Sequence, residues 1–79
     1  MPTAIFSYPN AGTNRDQEKA RNAGLVEGLA YIVRDVVVHD WYTDVYLEGY
    51  YDPFNSVQFD YLDPAGHPVD IVDWALHNH

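Results

Sequence analysis

The chain has no cysteine, and from Asp35 to His79 it has neither lysine nor arginine. Without cysteine there is no disulfide framework and no thiolate metal site, so the fold must stand on packing alone. Long apolar runs are missing too, none approaching the roughly 20 residues of a membrane span. Residues 1–6 lack a basic segment leading into an apolar one, so no signal peptide is expected and the expectation is a soluble, cytoplasmic protein. There is no phosphate-cradling glycine loop, no internal repeat and no low-complexity segment. Because phosphate neutralisation requires a basic patch, direct nucleic-acid binding is excluded as an expectation, and an anionic membrane surface is excluded for the same reason.

What is present is a one-sided charge. The four basic side chains, Arg15, Lys19, Arg21 and Arg34, all precede Asp35, and nine carboxylates follow Arg34. The first 34 residues therefore carry +1 and the remainder −9, giving the net charge of −8. The same acidic segment holds nine of the twelve aromatic residues. Such a surface steers towards basic partners and away from polyanions. At 79 residues and 47% hydrophobic content the sequence reads as one domain, 1–79, with a thin core. A chain of this size buries only about 60% of its unfolded surface.

Periodicity gives an outline of the fold. Residues 3–8 alternate and read as a strand stopped by Pro9 and the Asn10-Ala11-Gly12 turn. Thr13 or Asn14 suits a helix N-cap, with Asp16 and Glu18 in the first turn. Leu25, Leu29, Ile32, Val33, Val36 and Val37 recur at three- and four-residue spacing, which predicts one helix over residues 14–38. Gly24 and Gly28 oppose it, and a break at either would let the valine run at 36–38 begin a strand. After Asp40 the period becomes two. Strands are expected around residues 44–52, 57–61 and 69–74, joined by turns at Asp52-Pro53-Phe54-Asn55 and Asp63-Pro64-Ala65-Gly66. The resulting expectation is α+β, a single domain of order β-α-β-β-β, with an antiparallel sheet and one helix packed on one face.

One helix covers one face, leaving the other to water or to a partner. On the second strand that open face reads Asp44, Tyr46, Glu48, Tyr50 and Asp52, with Asp60 and Gln58 joining from a neighbouring strand and Asp70 from the last. Carboxylates there would accept from arginine and lysine, and tyrosine rings offer cation–π stacking. A solvated polar face is also an ordinary property of antiparallel sheets, but solubility alone does not account for the missing lysine. No catalytic residues, metal ligands or cofactor are assigned. Ser7 and Ser56 have no adjacent histidine, and His67, His77 and His79 lie in a turn and a tail. A metal- or carboxylate-dependent enzyme is the alternative from another class, drawing on the abundant carboxylates or on Asp73 with His77 and His79.

In size, charge and composition over its whole length, the chain resembles the small acidic phage-encoded inhibitors that imitate nucleic acid, anti-CRISPR proteins in particular. The resemblance implies a stoichiometric inhibitor that occupies the basic DNA-binding surface of a CRISPR effector; a type I surveillance complex is a first guess at that target, which the resemblance itself does not specify. Immunity proteins, antitoxins and antirestriction proteins that neutralise a basic nuclease share this surface logic and stay open. The oligomeric state, monomer or dimer, is not encoded in any motif.

Overall fold

The computed structural model describes residues 1–77. In chain order its elements are β1 (Thr3–Phe6), α1 (Asn14–Asn22), β2 (Ala30–Val38), β3 (Thr43–Leu47), β4 (Phe54–Asn55), a 3₁₀ turn (Ser56–Gln58), β5 (Phe59–Leu62) and α2 (Ile71–His77). The strands form one sheet of order β4-β3-β2-β1-β5, each adjacent pair antiparallel. The α+β architecture is the expected one, with five strands and a second, short helix.

The expected helix over residues 14–38 is instead a helix, a turn and a strand. Thr13 opens α1 with a capping box. Its hydroxyl accepts from the Asp16 N–H, and its own N–H donates to the Asp16 carboxylate. The helix ends in a Schellman arrangement. The Gly24 N–H donates to Arg21 O and the Leu25 N–H to Ala20 O, with Gly24 at φ +79°. Leu25 then packs into the core beside Ala20, as that motif favours. Gly28, at φ +86°, sits in a second turn closed by the Leu29 N–H on Val26 O, and its own N–H reaches Phe6 O. The chain therefore enters β2 already paired to β1.

β2 carries a bulge. Val33 faces Leu47 and Asp35 faces Tyr46, so Arg34 is an extra residue. Tyr31 and Val33 lie on the core side before the bulge, and Val36 and Val38 after it, opposite the buried Val45 and Thr43. The Arg34 guanidinium turns back to donate to the carbonyls of Leu47, Tyr50 and Tyr51 at 2.9–3.2 Å, holding the turn that follows β3.

The last expected strand, residues 69–74, is the second major correction. The Val69 N–H does donate to Tyr61 O, beside a lone bridge between Leu62 and Pro68. From Ile71 onward the chain is helical, and the Asp70 carboxylate caps the Val72 and Asp73 N–H groups at 2.9 and 3.1 Å.

Both helices cover the same side of the sheet. Ala20 of α1 and Ile71 of α2 join Ala4, Phe6, Val33, Val45, Leu47, Phe54, Phe59 and Tyr61 in one core cluster. Phe59 links its aromatic members, 5.4 Å from Phe6 and 6.4 Å from Phe54 between ring centroids. Each large apolar side chain buried this way contributes about 1.5–3 kcal/mol. Gln58, expected on the open face, is instead fully buried. The 3₁₀ turn breaks the alternation and points its amide Nε2 at Pro9 O, 3.4 Å away.

Candidate functional site

The open face of the sheet is built by the alternate residues of its strands. Glu48 lies beside Ile32, which is paired to Thr3 and then Leu62, and Ile5 lies between Ala30 and Asp60. Across the bulge, Asp35 faces Tyr46 and Val37 faces Asp44. The face is thus an apolar strip, with Ile32 and Val37 partly exposed, bordered by carboxylates on β3 and β5.

Of the residues expected to form the binding surface, Asp44, Tyr46, Glu48 and Asp60 lie on this face. Asp60 is farther from the others than expected, because β5 pairs with β1 and not with β3. Three strand spacings separate it from β3, about 14 Å. Tyr50, Asp52 and Asp70 are elsewhere. The turn after Leu47 ends the alternation and folds Tyr50 back against the core, edge-on to Tyr31 and Phe54. Asp52 lies in the β3–β4 loop on the helix side, lining a groove against α1. Asp70 is the cap of α2, set apart from the carboxylates of the face.

The local chemistry of the face is less uniformly acidic than its sequence. Arg34 lies over the Tyr46 ring, its guanidinium carbon 5.1 Å from the centroid, so that tyrosine already holds a cation. Asp44 is 3.1 Å from His39 Nε2, the one ion pair among the described residues and charged only when the imidazole is protonated. Asp60 accepts from the Tyr8 hydroxyl at 3.0 Å, and this hydrogen bond, aided by the carboxylate's charge, raises the Tyr8 pKa above its ordinary 10.0. Burial drives the Tyr61 phenol strongly upward, with its hydroxyl donating to Ser56 O.

Other carboxylates are occupied by backbone. Asp35 accepts the Val36 N–H, and Asp63 accepts from Ala65 and His67. The side-chain carboxylates of Asp40, Glu48, Asp52 and Asp73 have neither a hydrogen-bonding nor an ion-pairing partner among the described residues, and all four residues are exposed. No carboxylate of the described chain lies within 4.0 Å of a lysine or arginine nitrogen. The negative charge is therefore presented rather than neutralised.

Two features escaped the sequence. One is the tip of the β2–β3 hairpin, where Trp41 is 95% exposed and Tyr42, Val37 and Val38 are also exposed. The run Val36-Val37-Val38 followed by Trp41-Tyr42 was its signal, and reading the valines as helical concealed it. The other is a groove of about 670 Å³ between α1 and the β3–β4 loop, lined by Arg15 and Lys19 opposite Tyr50, Tyr51 and Asp52. Lys19 lies 5.9 Å from the Phe54 ring centroid there. Among the described residues no three histidine, aspartate or glutamate side chains converge as a metal-ligating group. His77 Nδ1 lies 2.8 Å from Asp73 O, and His79 is outside the described residues. No described helix is long and apolar enough to cross a membrane.

The family described as Bacteriophage T4 protein Y07B matches residues 1–74, and the chain belongs to that family. No curated protein and no solved structure matches it.

Proposed function

We propose that this member of a phage protein family is a stoichiometric binding protein, acting in the cytoplasm of the host cell. It directs its acidic sheet face and β2–β3 hairpin against the nucleic-acid-binding surface of a basic host protein. In its most specific form the target is a CRISPR effector, a type I surveillance complex, whose DNA binding the chain blocks. The observation that carries the reading is the set of carboxylates that meet no lysine or arginine within the fold. A small domain gains nothing in stability from leaving net charge unpaired, whereas a basic partner is steered to it, with association raised about 10- to 1,000-fold at low salt.

Two measurements test it. The chain is used to capture proteins from bacterial lysate at low and high salt, and a basic protein released by added duplex DNA is expected. The chain is also added to a purified type I surveillance complex before its target duplex. Loss of DNA binding at near-equimolar chain is expected, with recovery when the combined Asp44→Lys, Glu48→Lys variant, shown to be folded, replaces the parent. Inhibition by that variant equal to the parent's would overturn the acidic-face reading. An immunity protein or antitoxin shares this surface, and a toxin gene beside the chain's own would assign it there.

A further inference from the structure

We infer that Trp41 is an interface anchor that the β2–β3 hairpin inserts into an apolar cleft, rimmed by arginine or lysine, on a basic protein partner. The inference rests on the reading above and names the part of the surface that docks.

The hairpin tip is ordered by its own contacts, and Trp41 takes no part in them. The His39 N–H donates to Tyr42 O at 2.9 Å, and the two rings stack with centroids 4.4 Å apart and planes 25° from parallel. Asp44 Oδ2 lies 3.1 Å from the imidazole Nε2. Below this, Val38 faces Thr43 and Val37 faces Asp44. The backbone of the turn has no positive φ and so asks for no particular residue at position 41. Trp41 nevertheless stands 95% exposed, beside Tyr42 at 50% and Val38 at 42%. An apolar ring on a braced support loses little freedom on binding, and tryptophan is among the residues that most often dominate interface energies.

The charges around it select the occupant. Asp35, Asp40 and Asp44 belong to the same hairpin, and its one cation, Arg34, is folded back onto the turn at the opposite end of β3. Nucleic acid and anionic lipid headgroups are repelled by such a rim, and a second copy would offer acid on its sheet face and, in the groove beside α1, Arg15 and Lys19 already offset by Glu18 and Asp52. A cleft with cationic edges is the complementary surface.

The test places a photo-crosslinker at the tip. Trp41→p-benzoylphenylalanine and, as a control at the other end of β3, Tyr51→p-benzoylphenylalanine are irradiated in bacterial lysate at low salt. An adduct with a basic nucleic-acid-binding protein from position 41 is expected. Against that protein, once purified, Trp41→Ala should weaken binding at least about tenfold and Trp41→Phe should retain most of it. The side chain is free of the fold, so circular dichroism should be unchanged in both. An adduct from position 51 alone, or a Trp41→Ala variant that binds as well as the parent, overturns the anchor while leaving the basic partner in place. No adduct from position 41 also overturns it. Failure of the wider reading is read separately, from whether the unmodified chain captures any DNA-displaceable basic protein.

Discussion

The Asn55 amide donates to Asp16 Oδ2 at 3.0 Å, across 39 positions of sequence. One carboxylate thereby serves both the Thr13 capping box and the edge strand β4. Burial alone would raise the Asp16 pKa. The hydrogen bonds from the Thr13 N–H, Asn55 and the Thr13 hydroxyl outweigh it, with help from the charge of Lys19, and the pKa lies below its ordinary 3.8.

Stability gained through a depressed carboxylate is complete above the ordinary value and is lost as pH falls through the folded value. Urea unfolding of the parent and of Asp16→Asn should therefore differ most above pH 4 and converge on further acidification. Asp16→Ala should lose about 1 kcal/mol near neutrality. A constant difference across the acid range would show that Asp16 acts through shape and not charge.

Gly24→Ala and Gly28→Ala should each destabilise by about 1–2 kcal/mol, because both positions are left-handed. No atom lies within 4 Å of a methyl added at either, so the cost is one of backbone conformation. Within a continuous helix the same changes would stabilise by about 1 kcal/mol, so the sign measured in thermal unfolding decides between the two structures.

Alkaline titration should report the Tyr8–Asp60 pair. Tyr8 ionises later than an ordinary tyrosine, and Asp60→Asn removes the charged acceptor that delays it. The variant's tyrosine absorbance should gain one earlier-ionising group. The linked stability is present below the ordinary value of 10.0 and disappears as pH rises through the folded one.

Melting temperature should rise between about 10 mM and 150 mM salt, as the Debye length falls from about 30 to 8 Å. The net charge of −8 and the scarcity of ion pairs both act in this direction. A melting point indifferent to salt would mean that the carboxylates are spaced widely enough to ignore one another.

Local signals in the sequence located β1, the Thr13 cap and the outward set of β3. At each, side-chain parity or a cap determines the structure without distant help. β2 was obscured by its bulge. Its core-side residues run 31, 33, 36 and 38, and a step of three among steps of two imitates a helical stripe. Strict alternation would have put Asp35 on the side of Val33, which is why a strand fitted worse. Asp70 caps a helix and is not in a strand because α2 packs Ile71 into the core, a long-range contact that the β-branched residues around it do not announce. The distance of Asp60 from β3 is a matter of strand order, which depends on long-range pairing with β1.

The bulge also sets which lengths of chain this sheet can tolerate. Arg34 is the surplus residue of β2, so excising it would return the strand to a regular two-step count with every other side chain on its present side. Excising Val37 would put the residues at the tip out of phase with β3. β2 therefore has a reading frame, with Arg34 as its spare position. What the deletion would forfeit is the clasp on the carbonyls of Leu47, Tyr50 and Tyr51. Arg34 is dispensable to the strand that contains it and needed by the turn across from it.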